Sequence, residues 1–451
     1  QDYTAVNTGT NIVIKGSSAK FITDNKDIRF KTSGVKLAND STTTIDTGSS
    51  GAGKVSFAAT SSTGISIEAD DATSFDDLLV ITSGSGDVTF DGTIGATNAL
   101  GGLTINSTAG DGDITFTSTI GDGGNPGIVG TTSIRGTSTE NVHFGAAIYS
   151  FDGGVTTITA TTDSDSTNAV DDENIEVAVT TEFTAAGEAI KFVGGKIDLA
   201  DNANLTITSG NGAVEVSGVA GVSDETVTIN AGTSSAKIGD VGDPAHEEIH
   251  TLTISGDAGI TLTGNIFTSK DTTSAGDVTF NDKVIIDGAV SIDTDNSGNS
   301  STTDGIIKFA TSIQSENTGT DSLALTSGAG TITLVEIGGS NKPLTSFVST
   351  SNALTLSEDI TTTGAITINA PVTNSGPNTL TSTTGDITLG GKLDGGSLNV
   401  LSTSGNAIFS GNIGTTTLVS DLRVFDSTGN GNVTFSGDIG TSTSNGIYAL
   451  S

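Results

Sequence analysis

Short segments in which two apolar residues flank one polar residue recur along the chain, each introduced by a glycine and a polar residue. Well-matched copies are residues 86–90 (GDVTF), 112–116 (GDITF), 276–280 (GDVTF) and 431–435 (GNVTF). The copies that begin at 86 and 112 are 26 residues apart, and looser copies at 385 and 405 are 20 residues apart. Recurrence at this spacing predicts a solenoid, in which each repeat buries its apolar side chains against its neighbours.

Two further segments complete the repeat. A Leu-x-(Ile/Val/Leu) segment, as at 103–105 and 205–207, precedes the Gly-x-(Val/Ile)-Thr-(Phe/Leu) segment, and an Ile-Gly step, as at 94–95, follows it. Three short strands in about 20–26 residues make one coil of a parallel β-helix, with the flanking apolar residues pointing inward and the middle residue outward. The predicted fold is therefore all-β, a parallel β-solenoid of irregular coils over residues 61–451.

The first 60 residues also alternate apolar and polar positions, but the repeat is not recognisable there. Terminal repeats of solenoids are usually atypical, because an open end exposes unpaired strand edges. We predict that residues 1–60 form a divergent N-terminal cap or assembly segment.

Composition narrows the class of protein. Glycine contributes 61 of the 451 residues, while hydrophobic residues make up 33% and aromatic residues 4%, which suits a narrow core. The chain has no cysteine, which excludes disulfides and thiolate metal sites. It also has no methionine, even at position 1, so we expect an extracellular or cell-surface protein whose signal peptide has been removed. No apolar run approaches the length of a membrane-spanning helix, and we expect no membrane insertion.

The net charge of −35 makes nucleic acid and anionic membranes improbable partners, because both require basic patches. Residues 1–60 carry seven basic and five acidic groups, whereas the remainder carries 10 basic and 47 acidic groups. Either this difference is ordinary variation of a solvated surface, or a near-neutral head meets the acidic body of a second copy.

Two acidic stretches, near 160–182 and 285–305, interrupt the repeat and are predicted to be loops inserted on one side of the solenoid. In the second, Asp293, Asp295, Ser297 and Asp304 fall at positions 1, 3, 5 and 12 of a calcium-binding loop. Position 12 is Asp rather than the usual Glu, and no flanking helices are evident. The stretch is therefore either a calcium site or a solvated acidic loop, as are the acidic groups at 68–77 and 163–173. No organic cofactor is expected.

Enzymatic activity is not expected. His246, Glu247 and His250 form a His-Glu-x-x-His sequence, which binds catalytic zinc when it lies on a helix. A repeat strand begins at Leu252, two residues later, so the sequence favours a loop or a single helical turn. Cleavage of acidic polysaccharide requires a basic groove, and basic residues beyond position 60 are few and scattered. Ice binding by outward threonine rows is also disfavoured, because paired Thr-x-Thr segments are sporadic.

The segments 86–95 (GDVTFDGTIG) and 431–440 (GNVTFSGDIG) resemble the β-strand repeats of large secreted bacterial surface proteins. These include filamentous-haemagglutinin-like adhesins and repeat-rich S-layer or sheath components. The resemblance covers roughly residues 78–451 and implies a right-handed parallel β-helix with an extracellular adhesive or structural role.

The sequence thus predicts a structural protein that self-assembles head to tail into a filament, sheath or surface layer, because heterologous contacts between non-identical ends propagate. An N-terminal strand could add to the next copy by β-augmentation. The alternative is an adhesin segment that binds a cell-surface receptor or glycan. The residues predicted to form the assembly contact are Ile12, Ile14, Phe21, Ile28, Phe30 and Leu450.

Overall fold

The structure is a computed structural model in which the chain forms two compact units, residues 1–235 and 236–451. It describes residues 1–4, 11–31, 33–38, 40–48, 51–59, 64–71, 75–106, 112–136, 142–160, 175–222, 224–242, 249–268, 276–295, 304–339, 341–426, 431–440 and 447. Within these ranges there are strands and turns but no helix. The strands, numbered along the chain, pair in parallel with strands of neighbouring coils, so the predicted all-β solenoid is confirmed.

The first unit contains three stacks of strands, one for each face of the coil. Stack I consists of β1 (Asp2–Thr4), β4 (Ile28–Lys31), β7 (Val55–Phe57), β10 (Val88–Phe90), β13 (Ile114–Phe116), β16 (Val142–Phe144), β19 (Ile175–Val177) and β22 (Ile197–Leu199). Stack II consists of β3 (Ser18–Ile22), β6 (Thr42–Asp46), β9 (Leu78–Thr82), β12 (Gly102–Ile105), β15 (Thr132–Arg135), β18 (Thr156–Thr159) and β21 (Ile190–Val193); β24 (Val214–Ala220) continues stacks I and II. Stack III consists of β2 (Ile12–Ile14), β5 (Val35–Leu37), β8 (Ile65–Ala69), β11 (Thr93–Ile94), β14 (Ile128–Val129), β17 (Ile148–Asp152), β20 (Thr181–Ala185), β23 (Leu205–Thr208) and β25 (Thr226–Asn230).

Like residues stack on like residues in the first unit, as the repeat predicts. The rings of Phe30, Phe57, Phe90, Phe116 and Phe144 form a continuous row inside stack I, with successive centroids 4.9 to 5.4 Å apart and planes within 8° of parallel. All five side chains are buried. This row is the centre of the narrow core.

The N-terminal residues belong to the same solenoid. Ile28 pairs with Val55 and Phe30 pairs with Phe57, so the early strands continue the register of the later coils. The repeat was not recognisable there because the glycine and threonine of the motif are replaced, although the inward apolar positions are kept.

The second unit also contains three stacks. The first has β28 (Gly259–Leu262), β31 (Val284–Ile286), β34 (Ile313–Ser315), β39 (Ile360–Thr362), β42 (Pro377–Ser382), β45 (Ser397–Ser402) and β47 (Asp421–Asp426). The second has β26 (Ser235–Val241), β29 (Ile266–Phe267), β32 (Ala289–Asp293), β35 (Ser322–Thr326), β37 (Ser346–Thr350), β40 (Ile366–Ile368), β43 (Ile387–Leu389), β46 (Ala407–Phe409) and β48 (Val433–Phe435). The third has β27 (Thr251–Ser255), β30 (Val278–Phe280), β33 (Ile307–Phe309), β36 (Thr331–Leu334), β38 (Ala353–Leu356), β41 (Val372–Asn374) and β44 (Leu393–Asp394).

The two strand types of the repeat do not keep to separate faces in the second unit. Leu252 of a Leu-x-Ile strand pairs with Val278 of a Gly-x-Val-Thr-Phe strand, and Ile254 pairs with Phe280. Both types place two apolar side chains inward and one side chain outward, so either type fits any face.

Coil length varies more than the predicted 20–26 residues. Ile190 pairs with Thr156, 34 positions earlier, whereas Ile366 pairs with Phe347, only 19 positions earlier. The extra residues of the longer coil fall between strands in the sequence, where insertion leaves the strand pairing intact.

A recurring corner closes the turn between two faces. A Ser or Thr hydroxyl inside the corner donates to the carbonyl of a glycine: Thr47 to Gly53 at 2.6 Å and Ser402 to Gly405 at 2.8 Å. Coils approach so closely here that a Cβ at Gly405 would overlap the carbonyl of Gly385 in the coil below. Glycine is therefore required by space at this position.

Candidate functional site

Many acidic and amide side chains bind the backbone of a neighbouring coil. The carboxylate of Asp386 accepts the backbone N–H of Asn406 at 2.7 Å, and the amide oxygen of Asn406 accepts the N–H of Asn432 at 3.0 Å. Asp240 and Asn265 form a second such ladder, in which Asp240 accepts the N–H of Asn265 at 2.8 Å. The second residue of the Gly-Asp/Asn-Val-Thr-Phe motif thus links coils, a role that sequence reasoning missed although the recurring Gly-Asp and Gly-Asn pairs signalled it.

These hydrogen bonds hold several carboxyl groups in their charged form. The N–H of Lys54 lowers the pKa of Asp27, the nearby Arg29 acting in the same direction. Burial raises the pKa of Asp394, but hydrogen bonds from the N–H groups of Thr416 and Thr417 outweigh it and the pKa falls below its usual range. These charged carboxylates therefore have a structural role, because they accept hydrogen bonds from the backbone of neighbouring coils.

The His143 side chain lies on the outer side of stack I between two carboxylates. Its Nδ1 contacts Glu176, and its Nε2 lies 3.7 Å from Oδ1 of Asp113. The hydrogen bond with Glu176 raises the pKa of His143, burial opposes this effect, and the charge of Asp113 adds to it. The arrangement is an ion-pair row across three adjacent coils.

The structure places the predicted assembly residues in two groups. Ile28 and Phe30 are fully buried in β4, which is paired on one side with β1 and on the other with β7. They belong to the core and are not on an open edge, so we remove them from the proposed assembly contact. Ile12, Ile14 and Phe21 lie in the first coil, on β2 and β3, whereas Leu450 lies outside the described residues.

The predicted calcium residues come together at one corner. Asp295 and Asp304 both approach Gly328 of the next coil, since a Cβ added there would collide with an oxygen of each carboxylate. Asp293 lies beside them, and its Oδ1 accepts the N–H of Asp295 at 2.9 Å. Ser297 lies outside the described residues.

The electrostatics of this corner disfavour three charged carboxylates. Burial raises the pKa of Asp293, and the charges of Asp295 and Asp304 raise it further. The pKa of Asp295 is raised by burial and by its contact with Asp304. Asp304 is only 8% exposed, and none of the residues that the structure describes forms a hydrogen bond with its Oδ1.

The acidic group at 68–77 is engaged differently. Glu68 forms an ion pair of 2.7 Å with Lys36 of the adjacent coil. Asp77 accepts hydrogen bonds from the backbone N–H and the hydroxyl of Ser41, at 3.1 and 3.0 Å. The acidic group at 163–173 lies outside the described residues.

The His-Glu-x-x-His sequence is described only at its last two residues. Ile249 forms a parallel bridge with Thr268 and is fully buried, so extended backbone is already present there. His246 and Glu247 lie outside the described residues.

The described residues form a shallow groove of about 400 Å³ on the outer side of β32, β35 and β37, where small side chains such as Ser291 and Ala324 leave room beside Val348. Across the described residues, no group of three or more His, Cys, Asp or Glu side chains is arranged to hold a metal ion. Within the same part of the chain there is no helix long and apolar enough to cross a membrane.

Comparison of the chain with protein-family models, with curated proteins and with solved structures gave no match.

Proposed function

We propose that this protein is an extracellular structural protein whose solenoid assembles head to tail with further copies into a filament, sheath or surface layer. The observation that carries the proposal is the exposure of inward-facing apolar side chains on the terminal described coil of the second unit. Val433 is 47% exposed and Ile439 is 45% exposed, whereas the residues below them in the stack, Ala407 and Ile413, are each 2% exposed. A further coil on this surface would bury both side chains.

The first coil offers a matching surface. Within the described residues, β1, β2 and β3 pair only with β4, β5 and β6, so one edge of each strand is open. The inward residues Ile12 and Phe21 are only partly covered, whereas their partners Val35 and Ile45 are fully buried. Parallel strand addition between unlike ends is a heterologous contact and propagates.

The charge distribution also favours contact between unlike ends. Residues 1–60 carry a formal charge of +2 and the remainder carries −37, so a head-to-body contact is less repulsive than contact between two acidic bodies.

The test compares charged substitutions at the exposed core positions with the same change on the outer side of a coil. The double variant Val433→Lys/Ile439→Lys places charge where the next coil would pack, and we expect it to remain monomeric. Leu78→Lys is the matched control, since Leu78 is 38% exposed on the outer side of β9, a strand paired on both edges. Sedimentation velocity and electron microscopy measure polymer formation by each protein.

Regular polymers of the wild type and of Leu78→Lys, but not of the double variant, support the proposal. Wild-type protein that stays monomeric, or a double variant that polymerises equally well, contradicts it.

One observation favours the adhesin alternative, the groove beside Val348, because its small polar and apolar lining could accept a glycan or peptide. Under that alternative, the wild type appears as monomers in electron microscopy and binds cells. Substituting Ala324→Arg in the groove then abolishes cell binding, whereas Val433→Lys/Ile439→Lys leaves it unchanged.

A further inference from the structure

The corner that contains Asp295 and Asp304 differs from the other corners of the solenoid. Two positions define it, the residue after the corner Ser or Thr and the residue before the corner glycine. In six other described corners both positions hold neutral residues: Gly48 and Ala52, Gly84 and Ser85, Gly210 and Asn211, Gly328 and Ala329, Thr383 and Thr384, and Thr403 and Ser404. Here both are aspartate, although Thr294 donates to the carbonyl of Gly305 at 2.8 Å as in an ordinary corner.

The two carboxylates lie close together, the Asp304 side chain buried and the Asp295 side chain half-buried. Oδ2 of Asp304 accepts the N–H of Ala329 at 2.6 Å, and Oδ1 of Asp304 is buried with no hydrogen-bond partner among the described residues. An oxygen of Asp295 meets the same point above Gly328. Carboxylate oxygens therefore converge at this point, whereas the corresponding point at Gly84 is met by the backbone carbonyl oxygens of Gly48 and Gly51.

The part of this corner that the structure describes contains no compensating positive charge. Within the described residues, no Lys, Arg or His forms an ion pair with Asp295 or Asp304. Acidic residues of other coils do form ion pairs with lysine, as Glu68 does with Lys36. Buried like charges at short distance repel strongly, and a buried oxygen without a partner is costly. A bound cation would remove both penalties.

We propose that this corner binds a calcium ion through the carboxylates of Asp295 and Asp304, with Asp293 adding negative charge from the adjacent position. Calcium accepts carboxylate, backbone carbonyl and water oxygens in flexible geometry, so two carboxylates at a backbone turn suit it. Magnesium requires near-ideal octahedral geometry and dehydrates reluctantly, so this corner should bind it more weakly than calcium. The ion would hold together the two ends of the segment that the solenoid inserts between Asp295 and Asp304.

The test uses the full chain, calcium chloride as the probe, and the variants Asp304→Asn and Asp295→Asn. Asp257→Asn is the matched control, because Asp257 is an exposed turn aspartate of the same unit. Isothermal titration gives the number of calcium ions bound, and thermal unfolding gives Tm in calcium and in EDTA. We expect each corner variant to bind one calcium ion fewer than the wild type and than Asp257→Asn.

The thermal measurement adds a reversal of sign that a purely structural role would not produce. In EDTA, Asp304→Asn should melt above the wild type, because the substitution removes like-charge repulsion. In calcium, the wild type should melt above Asp304→Asn.

Equal calcium stoichiometry in the wild type and Asp304→Asn overturns the proposal. So does a wild-type Tm that ignores calcium but rises on acidification while that of Asp304→Asn does not, because the two carboxyl groups would then share a proton instead of a metal ion.

Discussion

At the scale of single residues, a buried carboxylate can be held in its charged form by hydrogen bonds from the coils around it, and Asp321 is the example. Asp321 is 3% exposed and accepts four hydrogen bonds, from the N–H of Gly288 at 2.9 Å, the N–H of Asn317 at 3.0 Å, and the hydroxyls of Ser315 and Thr320. Burial raises the pKa of Asp321, but the donors outweigh it and the pKa is lowered. The charged form of Asp321 therefore links neighbouring coils.

This pKa shift predicts a specific pH dependence. A folded-state pKa below the unfolded value stabilises the protein above the unfolded pKa of about 3.9, and the contribution is lost as pH falls through the folded pKa. Asp321→Asn should cost about 1–3 kcal/mol at neutral pH, because donors aimed at the carboxylate lose a charged acceptor. Urea unfolding at several pH values measures the difference from the wild type, with Asp257→Asn as control.

The difference between the wild type and Asp321→Asn should begin to shrink as pH falls below about 3.9, where the carboxyl group of the unfolded chain is protonated, and should be lost as pH falls through the lower pKa of the folded state. A difference that is constant with pH would show that Asp321 acts only through shape.

At the scale of elements, each strand is defined by two inward apolar residues. In the first unit, the row of phenylalanine rings adds a preference for stacking phenylalanine on phenylalanine in successive coils. Phe57, Phe90 and Phe116 stack with centroids 4.9 and 5.3 Å apart and nearly parallel planes. Within the described residues of the second unit, the rings stack in pairs, such as Phe280 with Phe309, and do not form a long row there. Other inward positions pair unlike residues, as Leu252 does with Val278 and Ile254 with Phe280.

The ring row makes a testable contribution. Phe90→Ala should lower the free energy of unfolding by about 3–5 kcal/mol, because it empties a fully buried site. Phe90→Leu refills much of the volume and isolates ring stacking. A double-mutant cycle of Phe57→Leu and Phe90→Leu should give a coupling energy of about 0.5–1.5 kcal/mol. Phe57→Leu with Phe280→Leu is the control pair and should be additive, since these residues lie in different units.

At the scale of the whole molecule, the coil could be predicted from sequence because periodicity reports which side chains point inward. The ring row and the Leu-x-Ile stack of the first unit follow directly from the repeat. The face occupied by each strand in the second unit could not be predicted, because Leu252–Ile254 and Val278–Phe280 present the same inward pattern. The proximity of Asp295 to Asp304 was predicted from loop spacing, but their contact with the neutral corner at Gly328 depends on coil stacking, which one repeat does not encode.

The net charge of −35 predicts that added salt stabilises the folded units. With 52 acidic and 17 basic residues, outward carboxylates on successive coils repel one another more than the few ion pairs attract. Raising the ionic strength from about 0.01 M to about 1 M shortens the Debye length from about 30 Å to about 3 Å, so screening should stabilise the folded units. A gain of about 1 kcal/mol corresponds to a rise in Tm of about 2–4 °C for units of this size.

Sodium chloride is the appropriate salt for this measurement, because sulfate also strengthens apolar burial. Calorimetry in EDTA on the variant Val433→Lys/Ile439→Lys keeps calcium binding and polymer formation from adding to the shift. Repeating the scan near pH 4 supplies the control, since protonation of carboxylates there removes part of the repulsion. If Tm falls with added salt at neutral pH, attraction within rows such as Lys54 with Asp87 and His143 with Glu176 exceeds the general repulsion. The acidity would then stabilise the solenoid through local pairs, in addition to its role in linking coils through backbone N–H groups.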